Sequence, residues 1–121
     1  GLEGLGSGEL TYLTRQGVCA HYTPDAGLQA LAAEIASRRP ELGLRAVRMT
    51  MEDEVGTLRR RGYRAICIAG RDPATGTLPH WHRPGDTEET VSSEFMERAA
   101  DLVTELLAGL DRQTLDMQEG P

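Results

Sequence analysis

The residues best suited to chemistry lie in one irregular stretch, residues 70–90, which is longer than most connections between secondary-structure elements. His82 is followed four residues later by Asp86, a spacing that suits a metal-binding imidazole with a carboxylate that accepts its other ring proton or orders the loop. His80 and Trp81 stand just before it, between two prolines that restrict the backbone. Because surface histidine pairs more often bind no metal, residue content alone leaves both interpretations open.

A second candidate is Glu3, which opens the glycine-rich segment EGLGSG. Glycines at this density are typical of phosphate loops, but no GK[ST] follows them, so a flexible turn is the simpler interpretation. A carboxylate placed where a strand ends in a glycine turn can face a site at that edge of a sheet. The two acidic residues before the last helix, Glu88 and Glu89, are interpreted as stabilising its positive end.

The charge of the chain argues against nucleic acid as a partner. The 121 residues include 13 basic side chains, all of them arginine, and 19 acidic ones, which gives a formal net charge of -6. Because this charge repels phosphate backbones, we expect no nucleic-acid binding. The arginine run 59–61 is interpreted as a complement to the negative end of a helix. No apolar stretch approaches the roughly 20 residues of a membrane-spanning helix, so no membrane span is expected.

The cysteines and the first residues give expectations for the cellular compartment and for the extent of the sequence. Cys19 and Cys67 form no CxxC pair, and a reducing, cytoplasmic compartment is the default expectation, with a single disulfide between them as the alternative. Residues 1–8 lack the basic start and the apolar run of a secretory signal, and they contain no initiating methionine. The sequence is therefore expected to be an excerpt from a longer protein.

Alternating β-like and helical patterns predict the elements that hold these residues. Strands are predicted over residues 9–15, 44–49 and 63–69, the last as a central parallel strand covered on both faces. Helices are predicted over 24–39 with Thr23 as the cap, from Thr50 to about Arg61 with Gly62 as the stop, and over 93–112 with Ser92 as the cap. This order predicts an α/β fold of three layers, a largely parallel sheet flanked by helices, over residues 1–112. Residues 113–121 are predicted to be a frayed or disordered tail.

Two segments of the chain match motifs of a known family. Residues 2–6, LEGLG, look like a strand that ends in an Asn-x-Asp-like motif and a glycine turn, and residues 82–87, HRPGDT, fit a His-x-x-x-Asp-Thr loop. The loop stands after a buried strand and before a long terminal helix, and Trp81 before His82 strengthens the match. From Glu3 to about Arg112 the chain therefore resembles the C-terminal half of the di-zinc aminopeptidase family of the aminopeptidase Y type, which also includes glutaminyl cyclases and glutamate carboxypeptidase-like proteins.

The resemblance implies roles for five residues. His82 would be a zinc ligand, and Glu3 a candidate ligand of the other zinc, although the family usually has aspartate there. Asp86 would support the ligand or order the loop, and His80 and Trp81 would belong to the substrate pocket. The implied fold is half of a larger phosphorylase/hydrolase-like zinc exopeptidase fold.

The resemblance also implies a zinc hydrolase that removes N-terminal residues from peptides with two metal ions. The family's His-x-Asp ligands and its Glu-Glu pair have no counterpart in these residues. The chain alone is therefore expected to bind zinc weakly or not at all and to hydrolyse nothing without its missing N-terminal half or a self-association partner. One alternative is a non-catalytic binding or oligomerisation module with the same fold, and another is an unrelated small α/β protein with a coincidental His-x-x-x-Asp.

Overall fold

Four strands and three α-helices make up the computed structural model, which describes residues 1–120. The strands are β1 (Leu2–Glu3), β2 (Glu9–Gln16), β3 (Arg45–Met49) and β4 (Ile68–Arg71), and their order across the sheet is β1-β4-β2-β3. The helices are α1 (Ala26–Arg38), α2 (Glu54–Arg60) and α3 (Ser93–Gln118). Short 3-10 turns lie at Pro40–Leu42 and Glu88–Thr90.

Helices cover both faces of the sheet. Successive residues of a strand point to opposite faces, and both faces carry buried apolar side chains. On one face, Leu10 and Tyr12 of β2 belong to a core formed with α1 and α3. On the other face, Leu13 and Cys67 pack in a smaller core with Val55 of α2. The predicted α/β class, with helices on both faces of an open sheet, is confirmed.

The predicted largely parallel sheet is confirmed, with one antiparallel pair of strands. The β1–β4 and β2–β3 pairs are parallel, whereas β2 and β4 are antiparallel, with Tyr12 opposite Ile68. The apolar run before Gly70 does form a central strand, although the regular part begins only at Ile68. A strand that is buried on both faces looks the same in sequence whichever way it runs, so its apolar character did not reveal its direction.

Two predicted helix caps are wrong. Helix α1 is capped by Asp25, whose Oδ1 accepts from the Leu28 amide at 3.0 Å, and not by Thr23. Helix α2 is capped by Asp53, whose Oδ1 accepts from the Val55 amide at 3.0 Å, and not by Thr50. The second helix starts late because Met51 is buried and its carbonyl accepts from the Gly17 amide, which keeps this segment outside the helix.

The last helix begins as predicted and ends later. Ser92 is its cap and accepts from the Phe95 amide at 3.2 Å. The helix continues to Gln118, so residues 113–118 are helical and not a disordered tail. No glycine or proline follows Arg112 before Gly120, and nothing in this stretch stops the helix. Pro121, the end of the predicted tail, lies outside the described residues.

Candidate functional site

The glycine-rich turn after β1 fixes the position of Glu3. Glu3 pairs with Ala69 of β4, and the chain then folds over the adjacent Gly70. A Cβ atom at Gly70 would lie 2.6 Å from the Ser7 carbonyl oxygen and would overlap that of Gly4 as well. Only a residue without a side chain allows the turn to pass this close to the sheet.

A single cavity of about 370 Å³ brings the predicted site residues together. Its lining includes all five residues singled out from the sequence, namely Glu3, His80, Trp81, His82 and Asp86. Strands β1 and β4 run in the same direction, so the turn after β1 and the loop after β4 start from the same edge of the sheet. The chain thus forms one pocket from two segments that are far apart in sequence.

The two histidines have unusual backbone conformations. His80 and His82 have φ values of 53° and 52°, in the left-handed region that side chains other than glycine seldom adopt, although histidine is enriched there. Turn hydrogen bonds support this path, with the Arg83 amide donating to the His80 carbonyl and the Asp86 amide to that of Arg83, both at 3.0 Å. The histidine segment is therefore not an extended strand, and His82 is exposed with its ring 4.9 Å from that of Trp81.

A cluster of three carboxylates adjoins the cavity through Glu3. Oxygens of Glu3, Asp53 and Glu54 lie within 4.8 Å of one another. Burial raises the pKa of the Glu3 carboxyl, and the negative charges of Glu54 and Asp53 raise it further. Among residues 1–120, His82 belongs to no group of three potential ligands at this spacing. The cluster alone is not evidence of a metal, because acidic groups near the surface often gather without one.

Asp53 is the residue of this region that sequence reasoning missed. Its Oδ1 accepts from Gln16 Nε2 at 2.8 Å and from the Tyr22 hydroxyl at 3.2 Å, in addition to the Val55 amide. Its Oδ2 is buried without a hydrogen-bond partner. Burial and the negative charge of Asp53 together raise the pKa of Tyr22 to about 12. In the sequence Asp53 looked only like the end of a capping motif, and its sole signal was its place just beyond the carboxyl end of a strand.

The cysteines add no chemistry to the site. Cys19 is exposed, Cys67 is buried, and both are free thiols. Burial raises the pKa of the Cys67 thiol, and the nearby Asp53 raises it further. A thiol with a raised pKa is a poor nucleophile and a poor metal ligand, so Cys67 acts as a small core residue.

Comparisons with known proteins give no relative for this chain. No protein-family model matches it, and neither a curated protein nor a solved structure does. No helix within residues 1–120 is both long and apolar enough to cross a membrane.

Replacing Glu3 with glutamine is expected to stabilise the fold at neutral pH. Because the folded-state pKa of Glu3 is raised, the protonated form favours folding, and this contribution is lost as the pH rises above the ordinary value of 4.5. Removing the partly buried charge, and with it the repulsion from Glu54 and Asp53, should add about 0.5 kcal/mol to the free energy of unfolding at pH 7. That corresponds to a melting temperature about 2 °C higher.

Thermal melts at pH 7 and pH 4 check this expectation. The increase in melting temperature should be smaller at pH 4, where Glu3 is largely protonated. Glu52→Gln is the matched control, because Glu52 is exposed and lies outside the three-carboxylate cluster. A gain that is equal for both variants, or independent of pH, would contradict the repulsion.

Proposed function

We propose that this chain is the C-terminal part of a zinc-dependent aminopeptidase-like hydrolase, to which it contributes His82 and Glu3 as metal ligands. The observation that carries the proposal is the shared cavity, whose lining includes Glu3 at the end of β1 and His82 in the loop after β4. The unusual backbone at His82 adds support, because such conformations gather at functional sites.

The two proposed ligands are of types that bind zinc, but two ligands are too few to form a catalytic site. Imidazole nitrogen and carboxylate oxygen are both common zinc ligands, and a cation near Glu3 would offset the repulsion from Asp53 and Glu54. A catalytic zinc normally has three protein ligands. His82, as a ligand of one zinc ion, and Glu3, as a ligand of the other, would therefore each need further ligands from another part of the protein or from a second chain.

Other side chains of the cavity would orient the metal ligand and contact the substrate. Bound zinc would polarise the peptide carbonyl and activate a water. The Asp86 carboxylate lines the same cavity and would orient the His82 ring or order the loop. Trp81, which is 46% exposed, and His80 would form the wall against which a peptide substrate lies.

The experiment that tests this function is a peptidase assay on the protein that contains this chain. Zinc-loaded protein is expected to release residues from a peptide with a free N-terminus and not from its N-acetylated copy. A chelator should stop the release, and added zinc should restore it. Release that is indifferent to chelation or acetylation would contradict the proposal.

The second candidate is a non-catalytic binding or oligomerisation module, and one surface favours it. At the β1 edge of the sheet, a cavity of about 390 Å³ is lined mostly by apolar side chains from the β1 region and α3. Leu2 and Met96, both in its lining, are 56% and 51% exposed. Exposed apolar side chains beside an open sheet edge are typical of an interaction surface.

The 121-residue chain is accordingly expected to self-associate. Met96→Glu should shift the chain towards monomer, because a charge placed in the apolar cavity opposes its burial. Leu115→Glu is the control, since Leu115 is 57% exposed but does not line the cavity. Light scattering over a range of concentrations measures the shift. A clean monomer at every concentration would count against this interaction surface.

A further inference from the structure

Four arginines and a histidine gather at the carboxyl ends of β2 and β3, in a region that the proposed function does not use. Two adjoining cavities, of about 560 and about 210 Å³, occupy this region and share Arg15 and His21 in their linings. The larger one adds Arg59 and Arg60, and the smaller one adds Arg48. Within residues 1–120 no carboxylate side chain lines either cavity, although the chain as a whole carries a net charge of -6.

Two of these arginines are direct neighbours, and within residues 1–120 no ion pair neutralises their positive charges. Arg15 and Arg48 are directly opposite in the parallel β2–β3 pair, and like charges at such positions are destabilising. In the described part of the chain, neither side chain forms an ion pair or a hydrogen bond, whereas Arg38 and Arg71 are each paired with a glutamate. A negative ligand between Arg15 and Arg48 would replace repulsion with attraction.

The arginines of α2 are held in place around the larger cavity. Arg59 donates from Nε to the Thr23 carbonyl at 3.2 Å and from Nη1 to the Tyr63 carbonyl at 3.0 Å, and it forms an ion pair with Asp25 at 4.0 Å. Arg60 donates from Nη2 to the Thr57 hydroxyl at 3.3 Å, which leaves its other N–H groups free. Both arginines lie in the last turn of α2, as the helix-dipole interpretation expects, and they also line the cavity.

We propose that the larger of these two arginine-lined cavities binds a small phosphate-bearing molecule. Guanidinium groups bind phosphate oxygens through paired, charge-assisted hydrogen bonds, and the Thr23 side chain in the lining adds a hydroxyl group. The larger cavity falls within the usual size range of small-molecule sites. A long polynucleotide is disfavoured because the chain as a whole carries a net charge of -6, which repels an extended phosphate backbone. The proposal does not depend on the candidate metal site, which lies in a different cavity.

Titration of the chain with inorganic phosphate and with pyrophosphate, followed by NMR and calorimetry, tests the proposal. We expect saturable binding, tighter for pyrophosphate, with shifts centred on residues 15–23 and 59–60. Arg15→Gln and Arg60→Gln should each weaken pyrophosphate binding about tenfold, the equivalent of one charge-assisted hydrogen bond. Arg112→Gln, which alters an exposed arginine of α3 outside both cavities, should leave the affinity unchanged.

A second readout comes from stability in the absence of ligand. Because Arg15 opposes Arg48, Arg15→Gln should raise the melting temperature in a phosphate-free buffer and reduce the further rise that pyrophosphate produces. The proposal is overturned by non-saturable binding, by an equal loss of affinity in Arg112→Gln, or by an oligonucleotide that binds more tightly than pyrophosphate at equal ionic strength.

Discussion

Replacing His82 with alanine is expected to lower the zinc affinity of the protein that contains this chain by at least about 100-fold. The outer partners of a metal ligand already change affinity by about 10- to 100-fold, and a lost ligand should cost more. Asp86→Asn should cost about tenfold, because the Asp86 carboxylate lines the cavity without being a proposed ligand. Metal analysis after dialysis and competition with a chromogenic chelator measure both effects.

His21→Ala is the matched control for this prediction. His21 is an exposed histidine, like His82, but it lines the arginine-rich cavity and not the one that contains Glu3. Its replacement should leave the zinc affinity nearly unchanged. Equal losses for His82→Ala and His21→Ala would show that His82 has no particular role in metal binding.

Gly70→Ala is expected to destabilise the fold by about 3 kcal/mol. The added methyl group would meet the carbonyl oxygens of Gly4 and Ser7, and backbone atoms cannot move aside as a flexible side chain can. The turn would have to lift away from β4, and Glu3 would move with it. The free energy of unfolding of domains of this size is only about 5 to 15 kcal/mol. A loss of this size would therefore lower the urea concentration at the midpoint of unfolding markedly.

Gly62→Ala separates this steric effect from the general effect of losing a glycine. Gly62 has a φ of 84° and open space around its missing Cβ, so alanine there should cost only about 1 kcal/mol of conformational strain. Gly70→Ala should also weaken the proposed zinc binding, which Gly62→Ala should not. Equal stability of the two variants would contradict the close approach of the turn to β4.

The secondary structure could be predicted where the sequence repeats a local pattern. Strand β2 was predicted because β-branched and aromatic residues lie between glycines, and helix α3 because apolar residues recur at helical spacing and Ser92 is a strong cap. The caps Asp25 and Asp53 were missed because each lies two or three residues after another plausible cap. The direction of β4 could not be predicted, because it depends on which strands pair and not on local spacing.

The sequence singled out residues that line one cavity, but not the side chains that surround them. Glu3 and His82 were selected by residue type and motif, and their meeting in one cavity follows from two strand ends at the same edge of the sheet. Asp53 approaches Glu3 only through the packing of α2 on the sheet, which no local pattern encodes. The cavity formed by Arg15 and Arg60 likewise joins separate segments, of which the sequence displayed only the arginine run.

Anomalous diffraction at the zinc edge from crystals of the zinc-loaded protein would locate the metal and its ligands directly. The proposed function predicts a peak about 2.0 to 2.1 Å from a ring nitrogen of His82. It also predicts that the Glu3 carboxylate coordinates a zinc ion in the same cavity. A peak confined to Asp53 and Glu54, or no ordered zinc beside His82, would contradict the assignment of this chain to a zinc hydrolase.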